Sequence, residues 1–224
     1  MIPWQQLDRA KVPGGRGEIA LYRRGEELSI RLDRAELMNS RMHGSEEKLA
    51  ELGCAPVRER ERPSVLVGGL GMGFTLAATL AQLGPSAEVV VAELIGAVVA
   101  WNHAHLGHLA GHPLKDARVQ VYEGDVRQLL RERKAGFDAV LLDVDNGPSG
   151  LTRDSNSQLY SPSGLGAAHT ALRAGGVLAV WSVASDPAFT RRLGRAGFEV
   201  REHNVSARAG SKGPRHTLWI AIKG

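Results

Sequence analysis

Acids punctuate the ends of short apolar runs in this sequence. Glu93 closes "AEVVVAE", Asp125 follows "ARVQVYEG", and Asp143, Asp145 and Asn146 crowd together in "FDAVLLDVDNGPSG". Asp143 and Asp145 stand two apart, so a strand that persisted through them would turn both to one face, with Asn146 opening the loop. Two carboxylates and an amide after a buried strand are costly unless a ligand or backbone donors meet them. An acid beside a reacting centre can hold a cationic amine, orient it and accept its proton. We expect Asp143, Asp145 and Asn146 to share that work, although "NGP" also has the composition of a plain turn.

The other acids suit binding. Glu93 lies about twenty residues beyond a glycine-rich turn, where dinucleotide and nucleoside folds place an acid for both ribose hydroxyls. Helix capping is its alternative role. Asp125 sits at the next strand tip and at a helix start, where it either accepts from an adenine amino group or caps the helix. The turn itself is "VLVGGLGMGFTL", with Gly69, Gly71 and Gly73 between a β-branched run and an alanine-rich one. Residues without a Cβ allow a tight turn and a close approach of ligand to backbone. The turn lacks the Gly-Lys-Ser/Thr ending of a phosphate loop, so nucleotide hydrolysis is not the expected activity, and no Gly-x-Ser-x-Gly elbow occurs.

Such strand-tip residues need a scaffold that gathers strand ends at one edge. From Ser64 onward, "SVLVGGL", "AEVVVAEL", "ARVQVYEG", "FDAVLLDV" and "GGVLAVWSV" read as strands buried on both faces, separated by helical stretches at 73–83, 96–108, 125–134, 163–173 and 187–196. The alternation predicts an α/β fold: a Rossmann-like, doubly wound, mostly parallel seven-stranded sheet. "GFEVREHNVSA" and "RHTLWIAIK" supply an antiparallel C-terminal edge. Upstream, "GEIALYRRGEELSIRLD" predicts a β-hairpin, and "GSEEKLAELG" a short helix with Ser45 as N-cap and Gly53 as C-cap. The organisation expected is therefore a hairpin-and-helix extension over 1–54, a charged linker over 55–63 and a ligand-binding catalytic domain over 64–224. If the extension folds over the ligand edge, Arg41 and His43 of "NSRMHGSEE" roof the acceptor pocket; otherwise they belong to a polar turn. Tyr160 of "QLYSP" lines the pocket or is a partly buried ring.

Composition removes several classes. The chain has 224 residues and a net charge of +4, from 28 Lys and Arg against 24 Asp and Glu. Its basic clusters, "VRERER" and "RQLLRERK", carry interleaved acids and no aromatic platform, so they read as solvated face or linker and nucleic acid is not the expected partner. No apolar run is long enough for a membrane span, and the first residues lack a secretory signal, which makes the cytoplasm the expected compartment. The lone Cys54 excludes an internal disulfide and reads as a small hydrophobe. His103, His105, His108 and His112 have helical spacings that suit metal ligands, but no HExxH and no third ligand accompany them, so no metal is expected.

The run from Val65 to Val183 resembles the class I S-adenosylmethionine-dependent transferase fold, and its ordering is most similar to the spermidine synthases and their relatives. The N-terminal hairpin and short helix, "LLDVDNGPSG", "QLYSPSGL" and "RAGGVLAVWS" carry the likeness. The resemblance implies Gly69, Gly71 and Gly73 around the methionine part of S-adenosyl-L-methionine, Glu93 on its ribose, Asp125 near adenine and Asp143 at the junction with the acceptor. It also implies a homodimer, with the hairpin near the interface.

The chain departs from the polyamine-forming members at informative places. Those members have an aspartate inside the glycine turn, facing the ammonium of decarboxylated S-adenosylmethionine, where "GGLGMG" has Gly71. An ammonium would lose a partner there, and a methionine carboxylate would lose a repulsive neighbour. "HGSEEKL" replaces the family's Tyr-His pair, and "DVDN" sets its acids closer than the family does, leaving open whether Asp145 or Asn146 holds the base position. A basic overall balance also fits a polyamine poorly. The expected function is an S-adenosylmethionine-dependent methyltransferase on a spermidine-synthase-like scaffold, acting on a small-molecule acceptor at nitrogen or oxygen. The alternatives are an aminopropyltransferase using decarboxylated S-adenosylmethionine and a noncatalytic nucleoside-binding module.

Overall fold

The structure is a computed structural model that describes residues 2–14, 17–33, 35–144, 158–208 and 213–224. Five parallel strands form its centre: β5 (Ser64–Gly68), β6 (Glu88–Glu93), β7 (Val119–Glu123), β8 (Phe137–Leu142) and β9 (Leu172–Ser182). β10 (Phe198–Ser206) and β11 (Arg215–Lys223) complete the sheet antiparallel, in the order β10-β11-β9-β8-β5-β6-β7. Every residue of β5 and β8 is buried, as their unbroken Val and Leu runs require of strands covered on both faces. β5 has β6 on one side and β8 on the other, so the strand order reverses at its carboxyl end and opens a crevice there.

Among the described residues, six α-helices flank the sheet: α1 (Gly44–Cys54), α2 (Phe74–Gln82), α3 (Gly96–Trp101), α4 (Val126–Glu132), α5 (Pro162–Ala171) and α6 (Pro187–Arg195). Local chemistry sets several starts. Ser161 caps α5 by accepting from the Gly164 amide, and Asp186 caps α6 by accepting from Ala188 and Phe189, each followed by a proline at the first helical position. The helix expected over 96–108 stops being α-helical at Trp101. It continues as a π turn over Asn102–Leu106 and a 3-10 turn over Gly107–Ala110. Asn102 explains the break: its Nδ2 donates to the Val98 carbonyl at 2.9 Å and to the Gly71 carbonyl at 2.8 Å, so the wall of the glycine turn is tied to this helix.

The N-terminal extension is larger than one hairpin. β2 (Glu18–Arg24) and β3 (Glu27–Leu32) form the expected pair about Gly25, and β1 (Gln5–Lys11) and β4 (Ala35–Asn39) extend it to a four-stranded antiparallel sheet in the order β1-β2-β3-β4. These two strands escape the sequence pattern because β1 buries none of its residues and β4 only Asn39. Ile19, Leu21, Leu28 and Ile30 point inward and join one continuous core with α1, α2 and the near face of the large sheet. Trp101 on α3 donates from Nε1 to Asp8 on β1 at 2.7 Å, which fastens the extension over the ligand edge.

The segment "VRERER" is not merely a solvated linker. Arg60 ion-pairs with Asp138, whose side chain is 1% exposed at the start of β8. Arg173 holds the other carboxylate oxygen at 2.6 Å, and the Ser64 amide donates to it at 2.7 Å. Cys54 is fully buried, and desolvation pushes its thiol up to about 12, in keeping with a packing role. Among the described residues, no helix is long and apolar enough to cross a membrane.

Candidate active site

A cavity of about 540 Å³ fills the space between the carboxyl ends of β5, β6, β7 and β8 and the inner face of the N-terminal sheet. Its apolar wall comes from Val12, Ile19, Ile30, Leu37 and Met38 on the extension and from Ile95, Val126 and Leu159 on the sheet side. Its polar wall is acidic: Glu36, Glu46, Glu93, Asp125 and Asp143 line it, against Arg127 and His216. A chain that is basic overall thus encloses an acidic chamber, and the overall charge is no guide to what the chamber accepts.

The glycines of the turn do different jobs. Gly69, at φ +93°, is packed against the backbone carbonyl of Asp143, so a Cβ there would collide with the end of β8. Gly71, at φ +51°, lines the cavity, and a Cβ on it would lie 2.8 Å from the sulfur of Met38. Gly73 does not line the cavity; it precedes α2 at φ +89° and packs on Pro113 and Asn102. Its observed place is at the entry to α2.

Glu93 is buried at the end of β6, with one carboxylate oxygen accepting from the Leu70 amide at 3.0 Å and the other from the Ile95 amide at 2.9 Å. It therefore braces the glycine turn against the start of α3 while its carboxylate lines the cavity. Asp125 takes the capping role, accepting from the Arg127 amide at 2.9 Å at the start of α4, and it also lines the chamber. Burial disfavours its charge, but the bonds from the Arg127 side chain and amide outweigh that, and its carboxyl is held below the ordinary value.

Asp143 lies just past β8 and accepts from Thr75 Oγ1 at 2.5 Å. Burial pushes it up to about 6, the Thr75 bond opposing. Beside it is an acid that the sequence pattern leaves among ordinary helix residues. Glu46, on the first turn of α1, is 7% exposed and faces Asp143; burial first, and then the Asp143 charge, push it up to about 8. Ser45 is not the N-cap, a position that falls to His43 with no side-chain bond. Its hydroxyl instead donates to Glu46 at 2.6 Å, accepts from Trp181 Nε1 at 3.0 Å and meets His216 Nδ1 at 2.8 Å. Gly53, expected as the C-cap, lies within the helix, where a Cβ would press on Ala179 and Leu141.

The acceptor-side expectations fare unevenly. Arg41 is exposed and pairs with Glu27 at 3.3 Å, and His43 stacks on Phe74 and bonds Glu47 at 2.8 Å; neither lines the cavity, and Met42 between them does. Tyr160 turns its ring edge-on to Phe189 in the core, leaving Leu159 to face the chamber. Asp145 and Asn146 lie outside the described residues. Among the described residues, no three His, Cys, Asp or Glu side chains are grouped as metal ligands.

No family model matches the sequence, and no curated protein matches it. Solved structures do. A spermidine synthase from Thermotoga maritima superposes with a TM-score of 0.74 at 18% identity, over 98% of this chain and 73% of that one. The fold is that of the spermidine synthases. A spermidine synthase in complex with the transition-state analogue AdoDATO gives a TM-score of 0.72 at 18% identity, over 98% of this chain and 72% of that one. A probable spermidine synthase from Corynebacterium glutamicum gives 0.65 at 13% identity, over 98% and 79%. On this fold the chain carries Gly71 in the turn and a buried glutamate, Glu46, at the start of the helix that carries "SEEKL".

Proposed function

We propose that the chain is a transferase that moves an aminopropyl group from decarboxylated S-adenosylmethionine to a small amine. The observation that carries this reading is the acidic chamber. Five acidic side chains line it, and Arg127, its one arginine among the described residues, is already engaged by Asp125. A donor whose tail ends in an ammonium finds partners there, whereas a tail ending in a carboxylate meets like charge. The solved neighbours support the same reading, since they are named spermidine synthases and one holds AdoDATO. This reverses the preference for methyl transfer that the basic composition and Gly71 suggest.

The residues present fit the donor. Glu93 offers two carboxylate oxygens at the cavity wall for ribose hydroxyls, Asp125 lies at the neighbouring strand tip for the adenine edge, and Gly69 and Gly71 leave bare backbone for the tail. When bound, the sulfonium donor supplies an electrophilic carbon and a neutral thioether leaving group. The protein's share is to hold the acceptor nitrogen in line, exclude water and manage its proton. Asp143 holds the acceptor, fixed in place by Thr75.

Methyl transfer from S-adenosylmethionine is the second reading, favoured by the missing carboxylate at Gly71. Calorimetry with both donors separates the two, followed by product analysis with aliphatic amines. Preference for the decarboxylated donor and release of methylthioadenosine support aminopropyl transfer; preference for the carboxylated donor and release of S-adenosylhomocysteine overturn it.

A further inference from the structure

Glu46 has surroundings that a packing residue does not need. It sits on the cavity wall beside Asp143, and its Oε2 is 2.6 Å from Ser45 Oγ. That hydroxyl also lies 3.0 Å from Trp181 Nε1 and 2.8 Å from His216 Nδ1. A hydroxyl has one proton to give and two lone pairs, and an indole N–H only donates. Two arrangements therefore satisfy all three contacts. In one, Ser45 donates to an ionised Glu46 and accepts from Trp181 and from a protonated His216 Nδ1. In the other, a protonated Glu46 donates to Ser45, which still accepts from Trp181 and donates to an unprotonated His216 Nδ1. The two differ only in where protons lie, with every heavy atom in place.

We propose that Glu46 takes the proton the acceptor amine loses on transfer, and that Ser45 passes it to His216 on the part-exposed wall of the cavity. The proposal rests on the transfer reading above. The acceptor nitrogen uses its lone pair to form a bond to the carbon attached to sulfur, and the carbon–sulfur bond breaks with its pair left on sulfur. The nitrogen then carries one proton too many, and the Glu46 carboxylate receives it. His216, part-exposed on β11, first gives a proton to solvent and leaves Nδ1 bare, so that Ser45 accepts the proton from Glu46 as its own moves to Nδ1, which restores the first arrangement. Titratable groups facing the Glu46 carboxyl are Asp143 from the end of β8, His216 from β11 and Glu47 from its own helix. Asp143 remains ionised to hold the amine while Glu46 changes state.

The test uses the full chain with Glu46→Gln, Ser45→Ala and the double variant, probed with decarboxylated S-adenosylmethionine and 1,4-diaminobutane. Glu46→Gln keeps the shape and removes the titratable carboxyl, and a thermal melt checks that it folds. We expect kcat to fall at least about 100-fold in Glu46→Gln and about 10-fold in Ser45→Ala. Independently of turnover, NMR titration of His216 should move to lower pH in Glu46→Gln, and in the Ser45→Ala background it should no longer respond to that change. Wild-type turnover matched by Glu46→Gln, or a His216 titration indifferent to Glu46, overturns the relay and leaves the transfer reading standing. Absence of wild-type turnover with either donor overturns the transfer reading, and the relay with it.

Discussion

Gly69 and Asp143 meet backbone to backbone: the α-carbon of Gly69 lies so close to the Asp143 carbonyl that a side chain on the glycine would displace the end of β8. The adjacent ladder bond, from the Asp143 amide to the Gly68 carbonyl at 2.9 Å, keeps the two strand ends together. Thus the glycine turn and Asp143, to which we assign the donor and the acceptor, are positioned by one contact. Gly69→Ala, at φ +93°, should cost at least about 2 kcal/mol and weaken donor binding and turnover together. Urea unfolding and donor calorimetry check this.

Glu93 is expected to be as sensitive for a different reason. Its carboxylate satisfies the Leu70 and Ile95 amides, so Glu93→Ala leaves two buried donors unpaired, at about 1–3 kcal/mol each. Donor affinity should fall at least about tenfold, since the turn loosens and the ribose acceptor we assign to Glu93 is removed. Glu93→Gln, which keeps an acceptor oxygen, should retain more stability than affinity.

The Gly71 position tests donor choice. Gly71→Asp combined with Met38→Ala removes the 2.8 Å conflict with Met38 and adds a carboxylate to the tail region, in a left-handed conformation that aspartate tolerates. The preference for decarboxylated over carboxylated donor should rise about tenfold, measured as the ratio of dissociation constants. An unchanged ratio would place the tail elsewhere.

Stability should fall as pH rises. Burial raises Asp143 to about 6 and Glu46 to about 8, above the ordinary carboxyl values of 3.8 and 4.5. Between those limits the unfolded chain releases protons that the folded chain retains, so the unfolding free energy declines with pH. The contribution is complete below about pH 4 and lost once pH passes about 8. Thermal melts from pH 4.5 to 8.5 should show the decline for the wild type, and Glu46→Gln should flatten its upper half.

Asp138 provides a control away from the chamber. Its buried carboxylate is shared by Arg60, Arg173 and the Ser64 amide, so Asp138→Ala strands two guanidinium groups and should cost about 3–5 kcal/mol. In the fraction that folds at low temperature, the donor dissociation constant should stay within about twofold of the wild type, because no cavity wall is touched.

The parallel sheet was legible from local pattern. Strands covered on both faces must be unbroken apolar runs, and residues at their carboxyl ends must meet at one edge, so Glu93, Asp125 and Asp143 could be placed along the chamber from sequence position alone. The glycine turn was legible too, because its three positive φ angles fall at the three predicted positions. Tertiary structure alone decided that Glu46 faces Asp143, that Ser45 meets His216 across 171 residues, and that Arg60 leaves its charged run to reach Asp138. Nothing in "GSEEKL" or "VRERER" separates a solvated charge from a buried one, since helical acids and linker arginines look alike until another element covers them. The acidity of the chamber follows the same logic. Net charge sums the whole surface, whereas a cavity sees only the few side chains that the chain's long-range crossings turn inward.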